Sequence, residues 1–186
     1  GVYVKTCAIT RRYLGTFYCT TAGNGQTEYS LAKRYVWNYY HRVMRPLRKI
    51  ESTNTWTYGT NTWRQANGAA GNQVDAIVGV AEVMINLQLN VSHRTLAPTA
   101  TGSVGIGVGS TTSPSRMTQI TMSPEAVEAA TVDINGSTTC VGVFSPAVGY
   151  QFYSWMEIGV GGGTITFVGD DGGTNIQSGM EGWIEG

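Results

Sequence analysis

The chain has 186 residues, no net charge, and only 13% charged residues against roughly 25% in an ordinary soluble domain. No run of 18 apolar residues occurs, which excludes a helix spanning a membrane. Glycine, at 25 residues, is about twice its usual share, and Thr and Asn are plentiful. Together these predict an all-β chain with many turns and surfaces covered by subunits or close packing.

In chain order, 2–9 and 11–21 are β-branched and aromatic and predict two strands, followed by a Gly/Asn loop at 21–26. Residues 30–45 are ambiguous. Ser30 suits a helix cap, while Tyr35, Trp37 and Tyr39 alternate as in a strand, so a short helical turn at most leads into an extended stretch ending near Pro46. LRKIES, 47–52, predicts a half-buried strand. In TNTWTYGTNTW, 53–63, the motif TNTW occurs twice, but Thr, Asn and Gly59 oppose a helical heptad. Two strand segments are predicted there, with Gly59–Asn61 as a turn or bulge between them.

Further strands are predicted at 73–83, 84–93, 103–110, 116–122, 138–144, 149–160 and 163–169. Loops fall at 67–72, 94–102 and 169–175, a helical turn capped by Ser123 within 123–134, and a turn at 135–137. Roughly ten short strands at this spacing predict an antiparallel β-sandwich, jelly-roll-like, over 51–186, with a basic extended arm over 1–50.

The zero net charge hides a division. Residues 1–64 hold ten of the twelve Lys and Arg against Glu28 and Glu51, giving +8, and the remainder carries −8. Lys33, Arg34, Arg42, Arg45, Arg48 and Lys49 stand among Tyr35, Trp37, Tyr39 and Tyr40. A nucleic-acid reader has this composition, but no RNA-module signature accompanies it, so docking on an acidic protein neighbour is expected, with no nucleic acid and no membrane insertion.

Chemistry-bearing motifs are sparse. After Gly102, Gly105, Gly107 and Gly109 recur at period two and bare one strand face, for a tight subunit contact or for aromatic packing within the chain. Asp170 and Asp171 are too few for a calcium site. His41 and His93 lack a nucleophile signature, and Glu82, Glu157 and Asp75 lack any sign of a facing pair. Cys7, Cys19 and Cys140 have no metal spacing. Reduced thiols are expected, with a Cys7–Cys19 bond left open. NVS at 90–92 and NGS at 135–137 are sequons. No enzyme activity, cofactor or metal is expected. Trp56, Tyr58 and Trp63 either fill a core or, exposed, stack on a sugar.

Several stretches, taken together, resemble a known module: RRYLGTFYCTTAGNGQTEYSLAKRYVWNYYHRVMRPL, TNTWTYGTNTWRQANGAAGNQVDAIVGV, GVGS, GYQFYSWMEIG and FVGDDGGTNIQSGMEGWIEG. The module recurs at the C-terminal end of tailed-bacteriophage virion proteins of the tail-fibre or capsid-associated type, and the likeness runs in order over most of 9–186. The resemblance implies a non-enzymatic, trimeric part on the outer surface of a phage particle. VYVKTCAI then looks like the last strand of a preceding segment, so a fragment or a shortened version is expected. Two roles follow. One is a fibre or receptor-binding domain using Trp56, Tyr58 and Trp63 on host glycan. The other is a capsid decoration protein whose arm clamps other virion proteins. Gly105, Gly107, Gly109, Arg42, Arg45 and Arg48 are the expected subunit contacts. A soluble lectin-like accessory domain of an enzyme is a third class.

Overall fold

The structure, a computed structural model, describes residues 12–21, 23–95, 100–120, 134–173 and 175–186. The expected strand at 2–9 and helical turn within 123–134 lie outside these. Fourteen strands occur among the described residues: β1 (Gly15–Phe17), β2 (Lys33–Arg34), β3 (Val36–Asn38), β4 (Met44–Ile50), β5 (Thr55–Tyr58), β6 (Arg64–Gln65), β7 (Gln73–Val78), β8 (Ile85–Thr95), β9 (Thr101–Val108), β10 (Arg116–Ile120), β11 (Ile134–Phe144), β12 (Gly149–Gly161), β13 (Ile165–Val168) and β14 (Gly179–Glu185). One 3-10 turn, Ala66–Gly68, follows β6.

The strands build an antiparallel β-sandwich. The first sheet runs β10-β9-β12-β7-β2, with β6 on β12, and the second runs β4-β14-β8-β13-β5, with β11 on β8. Every ladder is antiparallel except the two-residue β2–β7 pairing. β8 organises the second sheet. Ile85, Leu87, Leu89 and Val91 have no exposed surface, while Asn86, Gln88, Asn90 and Ser92 face outward. One edge of β8 carries β11 along its full length, and the other carries β14 and then β13. The strict period of two therefore sets the register.

The core lies between the sheets. Trp155 of β12 meets Trp56 of β5 edge-to-face with ring centroids 5.9 Å apart, and Trp56 stacks on Phe167 of β13 at 5.7 Å. Val104, Ile106, Tyr153, Ile165 and Met180 are buried with them. Each such side chain contributes about 1.5–3 kcal/mol over its exposed state.

Five expectations change. First, the described part of the arm, 12–50, is woven into the sandwich. β4 is an edge strand of the second sheet, pairing with β14 from Met44↔Glu185 to Ile50↔Gly179. Tyr35 and Trp37 are buried. Ahead of β2, Leu31 accepts the Arg48 amide, and Arg34 Nε donates to the Pro46 carbonyl at 2.9 Å, so this segment runs along the outer edge of β4. No domain boundary falls at residue 50. Second, Pro46 sits inside β4 rather than ending it, which an edge strand tolerates. Leu47 faces the core there, and Ile50, three residues on, is exposed. Third, the two strand segments expected from 53–63 form as β5 and β6, but the link between them is neither a turn within one sheet nor a bulge. β5 belongs to the second sheet and β6 to the first, so the chain crosses between layers. Fourth, Asn135–Ser137 is no turn. It pairs with Ser92–Arg94 in β11, where Gly136 lies against the His93 ring. The helical turn expected from Ser30 does not form, and the bends there lead directly into β2.

Candidate ligand-binding and contact sites

The three expected platform rings separate. Trp56 is a core residue, 8% exposed, and its indole donates to Glu157 Oε2 at 2.7 Å. It offers no face to a sugar. Tyr58 and Trp63 remain partly exposed. Tyr58 is committed too, because its hydroxyl donates to the Thr62 carbonyl at 2.7 Å and the Arg64 guanidinium covers its ring at 3.8 Å.

The carboxylates do not form a catalytic pair. Asp75 lies opposite Phe152 on β12, so the two side chains share a sheet face, while Glu157, five residues further, points to the other face. That places them on opposite sides of the sheet and about 17 Å apart along it. Glu157, wholly buried, faces the core. Arg64 Nε and Nη2 donate to its Oε1 at 2.9 and 2.8 Å, and the Asn67 amide does so at 3.1 Å. Burial pushes its carboxyl above the usual range, against the pull of Trp56, Arg64 and Asn67. Asp75 accepts from Tyr35 Oη at 2.6 Å and Gln73 Nε2 at 2.7 Å, and burial and this carboxylate push the tyrosine well up. Glu82 is exposed, 3.7 Å from Arg42.

A third buried carboxylate, Glu51, carries no motif in the sequence. Asn72 Nδ2 donates to it at 2.6 Å and the Thr53 amide at 2.9 Å. Burial works to raise its carboxyl, but these bonds outweigh it and hold the group below its usual range. The three acids are thus internal braces: Glu51 and Glu157 satisfy backbone and side-chain donors, and Asp75 satisfies side-chain donors.

His93 is buried, with Nε2 2.9 Å from Thr138 Oγ1, and burial lowers its pKa from the ordinary 6.5. A lowered folded pKa means the unfolded chain takes the proton first. Stability is therefore expected to fall as pH drops from about 6.5 through the folded value. Urea titrations between pH 7.5 and 5 check this, with a His93→Leu variant flat over that part of the range. His41 is exposed, its Nδ1 3.3 Å from Arg45 Nη2. Cys19 is exposed and Cys140 buried, both free, and Cys7 lies outside the described residues. Among the described residues no group of three His, Cys, Asp or Glu is placed to hold a metal. The Asp170–Gly173 turn is braced by its own bonds.

The glycine stripe is filled from within. A Cβ on Gly105 would lie 2.6 Å from the Arg116 carbonyl and 2.9 Å from Pro114. One on Gly107 would strike the Ser110 carbonyl and lie 2.6 Å from Ser154 Oγ. The 110–115 loop folds over this face, so these two glycines serve neither subunit contact nor aromatic packing. Gly109 is exposed at φ 62°, where it turns the chain. Arg42 covers Trp37 and Tyr39, at 5.3 and 4.9 Å, and Arg45 Nε donates to the Gly186 carbonyl at 3.0 Å. Arg48 is exposed beside Glu181, its cross-strand neighbour.

Two surface features carry no sequence motif. Leu14, Phe17, Tyr29, Leu31, Val36 and Met44, 43–69% exposed, form an apolar collar around the β1–β3 ribbon. Tyr29, Val36, Asn38 and Arg45 line a recess of about 280 Å³ within it. Beside the β2 and β4 edges, a cleft of about 500 Å³ is lined by Ala32, Lys33, Tyr35, Lys49, Ala70, Gly71, Gln73 and Asp75.

The sequence matches no protein-family model and no curated protein significantly.

Proposed function

We propose that the chain is a non-enzymatic structural part of a tailed-bacteriophage particle, a surface-exposed fibre or receptor-binding domain that assembles as a homotrimer. The observation that carries this reading is the collar. Its six large apolar side chains are each 43–69% exposed, with Phe17 and Val36 cross-strand neighbours, and exposed apolar side chains grouped in this way mark an interaction site. A surface of this kind suits packing against sister copies. The internal engagement of Glu51, Asp75 and Glu157 supports a rigid building part rather than a catalyst, and so does the bacteriophage resemblance.

Capsid decoration is the second reading. The same collar suits it, with shell protein in place of sister copies. Gold-labelled antibody against the chain, imaged on whole particles by electron microscopy, tests the proposal. Label at the fibre tips is the expected result, label over the capsid favours decoration, and unlabelled particles overturn both.

A further inference from the structure

We propose that the cleft between the β2 and β4 edges is a saccharide-binding site, and that it does the glycan recognition first sought at Trp56, Tyr58 and Trp63. This deepens the receptor-binding reading and rests on it. The cleft lies where β2, on the first sheet, meets β4, on the second, beside the Arg48–Leu31 backbone bond that joins the two edges. Its volume of about 500 Å³ falls within the usual range for small-ligand sites.

Its chemistry is that of hydroxyl recognition. Asp75 and Tyr35 are each 4% exposed. Asp75 takes hydrogen bonds from Tyr35 and Gln73, with the Tyr150 hydroxyl beside it as a further partner, and a carboxylate has about four acceptor sites. The site that is left suits one sugar hydroxyl, held by an acceptor whose orientation Tyr35 and Gln73 already fix. Lys49 lies on the inward-facing side of β4 with Leu47 and makes no ion pair among the described residues, so its ammonium is available to a ring or substituent oxygen. Lys33 is already held by Glu28 at 2.9 Å. Among the described residues, one lining cation has no ion pair and one lining carboxylate is buried, so the cleft is close to neutral. That fits an uncharged saccharide and disfavours a polyphosphate or a nucleic acid strand.

Gly71 at the mouth supplies a clean block, because a Cβ there meets nothing within 4 Å and its φ is unstrained. The experiment is a glycan array with neutral hexoses, N-acetylhexosamines, acidic sugars and glycerol phosphate. Titration calorimetry follows on the full chain and on Lys49→Ala, Gly71→Trp and Tyr58→Ala/Trp63→Ala variants, each checked for an unchanged melting temperature. Uncharged sugars are expected to bind, at least tenfold more weakly to Lys49→Ala and Gly71→Trp, and unchanged to the ring variant. Three results overturn the cleft. One is loss of binding only in the ring variant, which leaves the receptor role standing. Another is preference for the acidic or phosphate arm. The third is no glycan binding at all on a particle that antibody labels at its fibre tips.

Discussion

Trp37→Ala is expected to cost about 3–5 kcal/mol, a large share of the 5–15 kcal/mol that holds a domain of this kind together. The ring is 2% exposed and stacks on Tyr13 with centroids 6.0 Å apart. Its indole donates to the Glu185 carbonyl at 3.1 Å, and it fills the space that Gly79 leaves bare. Removing it empties the joint between the N-terminal segment, β7 and the end of β14. The same argument predicts that a chain begun at residue 51 does not fold. It lacks β4 and uncovers the outer face of β7, where Asp75 and Ile77 are buried. Urea unfolding followed by tryptophan fluorescence measures the first effect, and amide chemical-shift dispersion the second. Cooperative unfolding of 51–186 alone would show residues 12–50 to be dispensable.

Glu157→Ala is expected to cost about 3 kcal/mol, the lower end for a broken buried ion pair. It strands the Trp56 indole and the Asn67 amide, both of which point at the carboxylate. Arg64, with its side chain 34% exposed, reaches water and softens the loss. Glu157→Gln keeps an acceptor and loses less. The same urea experiment, with the slope compared between variants, checks both. Because Trp56 is held from the second sheet and Arg64 from the first, the carboxylate ties the two layers at the 53–65 crossing. Its loss should show as faster amide exchange in β5 and β6 ahead of the rest of the sandwich.

The alternation of Ile85, Leu87, Leu89 and Val91 was enough to read β8, since one face of that strand is dry and the other wet. Elsewhere the local signal was outweighed by tertiary partners. Asn135-Gly136-Ser137 has turn chemistry, yet β8 offers a continuous ladder and His93 needs a bare residue beneath its ring. Alternation placed Trp56 and Tyr58 on one side of a strand, and both do meet the core from β5, Trp56 buried within it and Tyr58 half-buried at its margin. The cations of 33–49 looked like an arm because charge alone does not show what their stems cover. Arg34 lies over Tyr29 at 4.5 Å and Arg42 over Trp37. The cleft was illegible because its walls come from 32–35, 49 and 70–75, which only the topology brings together.

In the proposed trimer, neighbouring copies close the collar of Leu14, Phe17, Tyr29, Leu31, Val36 and Met44. Sedimentation velocity on the full chain, across nanomolar to micromolar concentration, tests it most directly. A species of three chains is predicted, dissociating to monomer when Leu14 and Phe17 are both changed to Asp. A monomer at every concentration, or a trimer indifferent to those two changes, would contradict it.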